Sequence, residues 1–479
     1  MDPEAFEHHL ASPQGHGHVP AGALTITAEG GLCGDSVTVS LATDGQRVTD
    51  AGFSADGCGA TTAAASAMVS RVVGAGLLEA ARIGAHEIAA ELGGLSPGKF
   101  HAAEVAADGL ARALGALAYR AGALAAPADG ARTMVAMSGG VDSSVVALQC
   151  AELGETVAVT LELWSDPEGD AARSCCSSSA VSQARALAHS LGLPHFTLDL
   201  RPEFRLGVVE PFIESYRAGE TPNPCVRCNG HVRLDGMLEL ADRLGCATLA
   251  TGHYARVKDG LLRAAVDSGK DQTYMLAALS PQSLARMRFP LGGMEKPAVR
   301  ALAAAAGLSV AQKADSQDLC FLAGTNRGRF LERHGGIAPR AGEVVDQAGN
   351  VLASHDGHEL FTVGQRRGTR VASGDSLYVV EKDAASNRVV VGPRESLAAT
   401  RVRVRGARLH RDGGAVDRVK LRYRAAPLPA RVCGEAGVGQ HRSLTLELEQ
   451  PVYGAAPGQL ACLMDGDLVI GWGTITRPL

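Results

Sequence analysis

The hydrophobic and polar positions change their period several times along the 479 residues. Residues 20–56 alternate apolar and polar positions in short runs separated by Gly and Asp, which predicts a small antiparallel sheet. Residues 60–119 are rich in Ala and place apolar residues at i, i+3 and i+4, which predicts helices. Residues 121–131 are small, contain Gly and Pro, and follow neither period. The pattern therefore predicts an α+β domain over 1–120 followed by a linker over 121–131.

From residue 132 onward, short apolar runs alternate with helical patterns of 10–15 residues. This alternation is typical of an α/β domain with a doubly wound parallel sheet, which binds its ligand at the carboxyl ends of the strands. After about residue 335 the pattern changes to short β-rich segments separated by Gly and Asp. We expect a catalytic α/β domain over 132–335, a small β-rich domain over 336–400 and a C-terminal β-barrel over 401–479.

Composition narrows the class of protein. Hydrophobic residues make up 46% and charged residues 20%, as in ordinary globular proteins. The sequence has neither an apolar run of about 20 residues nor an N-terminal secretion pattern, so we expect a cytoplasmic protein with no membrane partner. In such a compartment the eleven cysteines indicate redox or metal chemistry rather than a disulfide framework.

The net charge of −5 argues mildly against a nucleic-acid partner, but the charge is unevenly distributed. Residues 1–120 carry 6 basic and 13 acidic side chains, whereas residues 401–424 carry 9 basic and 2 acidic ones. A polyanion can bind such a basic segment even though the whole chain is acidic. A strand pair with one solvated Arg face explains the same pattern, and both interpretations stay open.

A glycine-rich loop follows the first strand of the predicted α/β domain. It reads Ser138-Gly139-Gly140-Val141-Asp142-Ser143 and comes directly before a helix. Glycines let the backbone approach an anion, and the helix start offers unpaired N–H groups to phosphate oxygens. Asp142 is placed to hold Mg²⁺ against a pyrophosphate. The loop contains no lysine, which disfavours a Walker-type nucleotide site.

This loop resembles the PP-loop of the ATP pyrophosphatases, which cleave ATP between the α and β phosphates. The resemblance implies that AMP is transferred to an acceptor oxygen.

Three cysteines form a second candidate site. Cys225 and Cys228 make a CxxC within TPNPCVRCN, and Cys320 stands in KADSQDLCF. A CxxC taken alone is compatible with zinc binding, thiol redox chemistry or half of an iron–sulfur site.

Together, the loop and the cysteine segments resemble the tRNA 2-thiouridylase family from about residue 133 to the C-terminus. The segments that carry the resemblance are SGGVDSSV, TPNPCVRCN, ATGHYAR, KDQTYML, FPLG, KADSQDLCF, FTVGQRRG, LRYR and PGQLA. The resemblance implies an enzyme that first adenylates the C2 oxygen of the wobble uridine in a tRNA anticodon stem-loop. Sulfur then displaces AMP. This would make the chain a tRNA-uridine 2-sulfurtransferase that uses ATP and Mg²⁺.

The resemblance also implies roles for individual residues. It makes Cys228 the persulfide-bearing nucleophile and Cys320 its disulfide partner, with Asp142 as a further catalytic residue. The implied ATP-binding residues are Ala136, Met137, Ser138, Gly139, Gly140, Val141, Asp142, Ser143, Leu161 and Gly252. The implied tRNA-binding residues are Asn223, Pro224, Cys225, His253, Lys270, Asp271, Gln272, Arg422, Tyr423 and Gln459.

One departure from the family bears on the mechanism. Many members have Asp where this sequence has Cys225, so the site gains a third thiolate. Three thiolates can ligate a [4Fe–4S] cluster and leave one iron open for hydrosulfide. We therefore hypothesise a cluster on Cys225, Cys228 and Cys320. The persulfide route remains an alternative, and structural zinc is a weaker one because a saturated site would block the chemistry.

Residues 1–120 resemble iron–sulfur assembly scaffolds of the IscU/NifU type, through LCGDSV, DGCGATTAAASAM and LSPGKFHAAEVAADGLARAL. The family clusters three cysteines, an Asp and a His around Zn²⁺ or a nascent cluster. Cys33, Asp35, Cys58 and His101 match that set, but Ala102 replaces the third cysteine. Either the four remaining residues bind a metal or cluster, or the domain is retained only for docking.

The implied partners are tRNA, a sulfur donor such as a cysteine desulfurase or sulfide, and the iron–sulfur assembly machinery. Two other functions stay open. One is a different PP-loop adenylating enzyme, such as an amide-forming synthetase. The other is a non-enzymatic iron–sulfur assembly or carrier protein.

Overall fold

A computed structural model of the chain describes residues 3–30, 34–120, 122–166, 178–314, 319–371 and 376–476. The chain divides into two compact units. The first unit comprises Met1–Pro202, Gly236–His253 and Arg286–Ala323. The second comprises Glu203–Asp235, Tyr254–Ala285 and Gly324–Leu479. No helix among the described residues is both long enough and apolar enough to span a bilayer.

The N-terminal part of the first unit is a three-stranded antiparallel sheet covered by helices. The elements are α1 (Pro3–Ala11), β1 (Leu24–Gly30), β2 (Asp35–Thr43), β3 (Val48–Asp56), α2 (Gly59–Val72), α3 (Leu77–Ala80), α4 (Ala85–Glu91) and α5 (Phe100–Tyr119). The strands pair in the order β1-β2-β3. Alternate residues of β2 (Val37, Val39 and Leu41) are fully buried, and α2 and α5 bury mostly alanines. The predicted α+β arrangement is confirmed.

The middle of the chain alternates strands and helices and contributes to both units. Its elements are β4 (Asp129–Met137), α6 (Val141–Leu153), β5 (Thr156–Glu162), α7 (Ser178–Ser190), β6 (His195–Asp199), α8 (Arg201–Phe204), α9 (Glu210–Arg217), α10 (Pro224–Cys228), α11 (Leu234–Arg243), β7 (Cys246–Thr251), β8 (Arg256–Lys258), β9 (Leu261–Arg263), α12 (Thr273–Leu276), α13 (Pro281–Arg286), β10 (Met287–Arg288), α14 (Lys296–Ala305) and α15 (Arg327–Gly335).

Five of these strands form the predicted parallel sheet, in the order β10-β7-β4-β5-β6. Every residue of β5 is buried, as expected for a strand covered on both faces. The order changes direction at β4, which has β5 on one side and β7 on the other. Ligands of doubly wound sheets bind at such a switch point, so β4 and β7 mark where the first unit should hold a nucleotide.

The second unit contains two β structures. Their strands are β11 (Gly342–Val345), β12 (Val351–His355), β13 (Tyr378–Asp383), β14 (Arg388–Gly392), β15 (Ala398–Leu409), β16 (Arg418–Lys420), β17 (Leu428–Val432), β18 (Gly439–Tyr453), β19 (Leu460–Asp465) and β20 (Leu468–Ile475). The first four pair in the order β12-β11-β14-β13. The last six close into a barrel because β15 pairs with both β18 and β20. The predicted C-terminal barrel is confirmed.

The hairpin β8–β9 joins this barrel rather than the parallel sheet, because Arg263 of β9 pairs with Leu468 of β20. Three-residue strands bear too little pattern to reveal their partner in the sequence. The side chains of Arg256 and Arg263 both contact Asp467, which anchors the hairpin to the turn before β20.

Candidate functional site

The connection between β4 and α6 forms a tight loop at the carboxyl end of the central strand. The Ser143 hydroxyl accepts a hydrogen bond from the Ser138 backbone N–H (3.1 Å) and donates one to the Gly140 carbonyl (3.1 Å). The hydroxyl of Ser144 donates to the same carbonyl at 2.8 Å. These bonds hold the loop closed around the first turn of α6. The N–H groups of that turn are the donors that an anion would use.

Two glycines allow the close packing of this loop. Gly139 has φ of +65°, and a Cβ there would lie 2.9 Å from the Ala180 carbonyl oxygen. Gly252, the first residue after β7, packs against the start of α6. A Cβ at Gly252 would lie 3.0 Å from the Ser143 nitrogen and 3.1 Å from the Asp142 carbonyl carbon. The structure thus brings Gly252 to the loop, although more than one hundred residues separate them in sequence.

The remaining predicted nucleotide residues lie around the loop. Ala136 and Met137 are the buried last residues of β4, and Val141 is the buried first residue of α6. Leu161 is buried in β5, one residue beyond the pair Met137–Thr160 in the β4–β5 register. These apolar side chains are positioned to exclude water from the end of β4.

Two lysines from distant sequence positions supply the positive charge that the loop itself lacks. The Lys296 Nζ lies 2.8 Å from both carboxylate oxygens of Asp142, and its side chain is only 9% exposed. The Lys313 Nζ donates to the Gly139 carbonyl oxygen at 2.9 Å and to the Gln183 side-chain oxygen at 3.1 Å. Together with the α6 N-terminus they make the surroundings of Asp142 net positive.

Neither lysine was predicted from the sequence. Lys296 lies four residues after the segment FPLG, and Lys313 is the first residue of KADSQDLCF. One signal in the sequence could have led to them. The loop contains no lysine, so a cation that balances the phosphate charge has to come from another segment.

The CxxC segment lies in the second unit, on the short helix α10. The Asn223 side-chain oxygen caps this helix by accepting from the Cys225 N–H at 3.1 Å. Residues at i and i+3 share a helix face, so Cys225 and Cys228 point to the same side of α10. Cys228 is buried and Cys225 is half-buried. Cys320 is half-buried and belongs to the first unit, whereas Cys225 and Cys228 belong to the second.

The C-terminal barrel holds the segment before the CxxC in place. Arg405 of β15 makes a bidentate ion pair with Glu220, at 2.6 and 2.7 Å. The Gln459 amide donates to the Thr221 carbonyl oxygen at 2.7 Å, and the Thr221 N–H donates to the Pro457 carbonyl oxygen at 2.8 Å. Gln459, predicted to contact tRNA, thus also supports the backbone that leads to Cys225.

Arg422 and Gln459 line one cavity of about 340 Å³. Thr221 and residues 362–365, from the segment FTVGQRRG, complete most of its wall. The Arg422 guanidinium also donates to the Gly454 carbonyl oxygen, which fixes the side chain beside the cavity. The structure therefore joins four sequence segments that the resemblance named separately.

The other predicted tRNA residues occupy varied surroundings. Asp271 forms an ion pair with Lys420 at 3.1 Å and accepts from the Thr273 hydroxyl, and the Gln272 side chain accepts from the Tyr254 N–H at 2.9 Å. Lys270 is half-buried at the adjoining turn. These contacts show that Asp271 and Gln272 shape the loop around them.

The last two predicted tRNA residues are aromatic. The His253 ring nitrogen Nδ1 lies 2.8 Å from the Thr251 hydroxyl oxygen in the first unit. Tyr423 lies against Tyr274 with ring centroids 6.5 Å apart, and burial raises the pKa of its hydroxyl. Both side chains are therefore held by neighbours within their own units.

The basic segment places its arginines on one side of β15. Arg401, Arg403, Arg405 and Arg408 are exposed, whereas Val402, Val404 and Ala407 are buried. These arginines form one exposed face of β15, and Arg401 and Arg405 pair with Glu447 and Glu220.

The N-terminal domain contains a compact group of potential metal ligands. Asp35, Cys58 and His101 place one ligand atom each within 4.8 Å of one another, and this is the one group of three such residues found in the described part of the chain. Asp35 is almost fully buried and accepts from the Thr61 hydroxyl at 2.5 Å. The buried Nε2 of His101 lies 3.3 Å from Asp35 Oδ2 and makes no hydrogen bond to any residue that the structure describes. Its position beside Asp35 and Cys58 suits a metal ligand.

The environment of Cys58 favours its thiolate form. Burial acts to raise its pKa, but hydrogen bonds from Thr61 and the Ala60 N–H, together with the positive charge of Lys99, outweigh burial and lower it. The Lys99 Nζ lies 3.6 Å from the sulfur. Aspartate, thiolate and imidazole are all ligands of Zn²⁺, so the three residues fit a metal. Ala102 is fully buried beside His101 and offers no fourth ligand, and Cys33 lies outside the described residues.

Four family profiles match successive parts of the chain. They are the NifU-like N terminal domain (residues 3–123), the tRNA methyl transferase HUP domain (131–324), the tRNA methyl transferase PRC-barrel domain (328–393) and the Aminomethyltransferase beta-barrel domain (396–475).

Similar proteins cover the whole chain or its larger part. The "Bifunctional protein NifU/MnmA" of Rubrobacter xylanophilus is 42% identical over 99% of this chain and 98% of its own length. The "tRNA-specific 2-thiouridylase MnmA" of Zymomonas mobilis is 42% identical over 73% of this chain and 94% of its own. Among solved structures, the U34-tRNA thiolase NcsA of Methanococcus maripaludis, with its [4Fe-4S] cluster, matches 44% of this chain and 66% of its own at 18% identity and a TM-score of 0.28.

The packing of Gly252 yields a first prediction. Gly252→Ala should weaken Mg·ATP binding about 10-fold, because the added methyl group pushes the Asp142–Ser143 backbone away from its place. Gly130→Ala is the matched control, since a Cβ there meets no atom within 4 Å. Equilibrium nucleotide titration of both variants measures the effect. Equal affinities would show that Gly252 does not shape the nucleotide site.

Proposed function

Because the chain belongs to the family of the bifunctional NifU/MnmA proteins, we propose that it is a tRNA 2-thiouridylase with an iron–sulfur scaffold domain in the same polypeptide. The observation that carries the proposal is the loop at the end of β4, where Asp142, Lys296 and Lys313 converge on a helix N-terminus without a Walker lysine. That arrangement suits the binding of ATP for cleavage between its α and β phosphates.

The first step activates a carbonyl oxygen that would not otherwise leave. The C2 oxygen of the target uridine attacks the α-phosphorus of ATP while the proton on the uridine N3 passes to solvent water. The bond from the α-phosphorus to the bridging oxygen breaks, and its electron pair stays on the departing pyrophosphate. The N–H groups of α6, with Lys296 and Lys313, would stabilise that negative charge. Asp142 would hold Mg²⁺ against the phosphates.

The second step brings sulfur to the activated carbon. By the roles that the resemblance implies, the terminal sulfur of a Cys228 persulfide attacks C2, and AMP leaves with the former C2 oxygen. The Cys320 thiolate then attacks the Cys228 sulfur, which releases the 2-thiouridine sulfur and leaves a Cys228–Cys320 disulfide. A thiol reductant must reduce this disulfide before the next turnover.

The third thiol, Cys225, supports a different source of sulfur. Cys225 and Cys228 share one face of α10 and, with Cys320, are the residues that would hold a [4Fe–4S] cluster. When bound, such a cluster would offer one iron without a protein ligand for hydrosulfide. In this route Cys228 serves as a ligand, no disulfide forms and no reductant is needed. We favour this route because the additional thiolate is the site's departure from the family pattern.

The N-terminal domain would supply or stabilise the cluster or its sulfur. Asp35, Cys58 and His101 would bind the metal. The lowered pKa of Cys58 makes it easier for the thiol to lose its proton and bind as a thiolate. The Ala at position 102 leaves the site with fewer thiolates than its relatives, which suits transient rather than permanent binding.

Recognition of tRNA would rest on the second unit. Its barrel presents the arginine face of β15 and the cavity lined by Arg422 and Gln459. Phosphate contacts of this kind depend strongly on salt. The substrate is tested most directly by mass spectrometry of tRNA from cells that lack the protein, in which 2-thiouridine derivatives should be missing at the wobble position.

Lys296 provides a second prediction. Lys296→Gln should weaken the binding of inorganic pyrophosphate about 10- to 100-fold, because a charge-assisted contact is lost, whereas Lys296→Arg should retain most of the affinity. Lys258→Gln changes an exposed lysine of the second unit and serves as the control. Calorimetric titration without tRNA separates this effect from thiolation. Unchanged affinity in Lys296→Gln would limit this lysine to balancing the charge of Asp142.

The cysteines provide a third prediction. Cys228→Ser should abolish tRNA thiolation by the purified protein while leaving tRNA affinity unchanged. Cys433→Ser, at an exposed cysteine, should change neither thiolation nor tRNA affinity. Loss of tRNA binding together with thiolation would contradict a chemical role for Cys228.

Cys225→Ser distinguishes the two sulfur routes. It should remove iron and sulfide from anaerobically purified protein and abolish thiolation if the cluster route holds. A colourless Cys225→Ser protein that thiolates tRNA when given a persulfide donor would instead support the Cys228 persulfide.

Arg422 provides a fourth prediction. Arg422→Gln should weaken the binding of all substrate tRNAs about equally and reduce the log–log salt slope by about 0.7 to 0.9, the value for one phosphate contact. Arg418→Gln, which removes an exposed arginine that pairs with the adjacent Asp417, serves as the control. A change confined to one tRNA would assign Arg422 to base recognition instead.

A further inference from the structure

The face of the N-terminal domain that contains α5 lies directly on the edge strand β6 of the parallel sheet. The His195 N–H, at the start of β6, donates to the Ala81 carbonyl oxygen at 2.9 Å. At the other end of β6, the Arg120 guanidinium donates to the Asp199 carbonyl oxygen at 2.8 Å. The contact therefore runs along the whole of the strand.

Two glycines of the N-terminal domain allow this approach. A Cβ at Gly115 of α5 would lie 2.2 Å from the Thr197 carbonyl oxygen, and a Cβ at Gly84 would lie 2.2 Å from the His189 ring. Both distances are far below van der Waals contact. Glycine within a helix normally costs stability relative to alanine, so Gly115 in the middle of α5 is explained by the neighbouring strand rather than by the helix.

A chain of four charges crosses the contact. The Arg112 guanidinium makes a bidentate pair with the Glu162 carboxylate, and its Nε donates to Asp108 at 2.6 Å. The other oxygen of Asp108 accepts from Arg185. Asp108 and Arg112 belong to α5, whereas Glu162 and Arg185 belong to β5 and α7. All four side chains are at most 18% exposed.

Two of the three ion pairs in this chain form only when the two domains are together. Docked, the four charges alternate in sign and sum to zero. Glu162 has its bidentate partner on α5, and Arg185 has Asp108 there, so separating the domains would leave both without these contacts. Removing one of these side chains while the domains stay docked would leave a buried ion without its partner, which is costly, so the intact chain of charges fits this docked arrangement and no shifted one.

The segment between the two domains is also held in place. Leu124 is fully buried, the Ala126 N–H donates to the Arg243 carbonyl oxygen at 2.9 Å, and the Ala125 N–H donates to Gly45 on the N-terminal side. Such contacts differ from those of a flexible Gly- and Ala-rich tether.

We propose that β6, Glu162 and Arg185 form a docking surface whose occupant is this chain's own N-terminal domain, so that the scaffold is fixed on the nucleotide-binding domain rather than tethered to it. Helix α5 then places the metal-ligand group at a fixed distance from the sheet. His101 and Arg112 are eleven residues apart on this helix, or about 16 Å along its axis. Arg112 in turn contacts Glu162 at the carboxyl end of β5, the edge of the sheet that carries the nucleotide loop.

A double-mutant cycle in the full-length chain tests the proposal. Arg112→Met and Glu162→Met should each lower the thermal unfolding midpoint by about 10 °C, because each leaves an uncompensated buried charge. The double variant should recover most of that loss, because Asp108 and Arg185 remain paired with each other. Arg71→Met, which breaks a half-exposed pair with Glu91 inside the N-terminal domain, should cost no more than about 4 °C.

Proteolysis and scattering separate undocking from simple loss of stability. At temperatures well below unfolding, thermolysin should cleave residues 120–131 in the single variants but not in the native chain or the double variant. The radius of gyration should rise in the same single variants while the far-ultraviolet circular dichroism stays unchanged. Gly115→Ala should give the same cleavage without any change of charge.

The opposite results would overturn the proposal. Equal cleavage of the native chain and the Arg112→Met variant would mean that the domain is tethered rather than docked. A native chain that is dimeric, and that loses its protection from cleavage on dilution to monomer, would assign the docking surface to a second copy's N-terminal domain. None of these measurements involves tRNA or ATP, so their outcome is independent of the proposed thiolation.

Discussion

The charge balance at the start of α6 is the constraint on which the catalytic part of the structure depends. The helix that follows a parallel strand presents backbone N–H groups at the carboxyl edge of the sheet, but these partial charges alone do not balance the phosphates of ATP. The loop itself contributes Asp142, which is negative, so the compensating cations have to be brought from segments far along the chain. Lys296 and Lys313 meet that need, and the strand β10 with helix α14 places the first of them there.

Most of the fold could be predicted from the sequence because the hydrophobic period is strong in most elements. The buried strand β5 and the alternating strand β15 are both visible as patterns of apolar and polar residues along the chain. The hairpin β8–β9 could not be assigned to the barrel, since its partner is specified by one pair between Arg263 and Leu468 and by the shared Asp467. Such pairings arise from tertiary contacts, which do not change the periodic pattern of apolar and polar residues in the sequence.

The sites could be predicted to a lesser extent. Motif spacing located the loop around Asp142 and the pair Cys225–Cys228, because both are local in sequence. The roles of Lys296 and of Gln459 depend on contacts over more than 150 residues, with Asp142 and Thr221 respectively. The buried pair Arg112–Glu162 could likewise not be predicted, because the two residues are 50 positions apart and no local pattern marks them as partners.

The position of the N-terminal domain has a consequence for the edge of the parallel sheet. An uncovered sheet edge is a template for pairing with another molecule, and proteins usually guard it with lysine, proline or a bulge. The strand β6 (HFTLD) contains neither lysine nor proline, and the N-terminal domain covers it. Because the N-terminal domain covers it, this strand needs no such protective residue. A shortened chain that begins after Tyr119 would expose an unpaired sheet edge that can pair with another molecule.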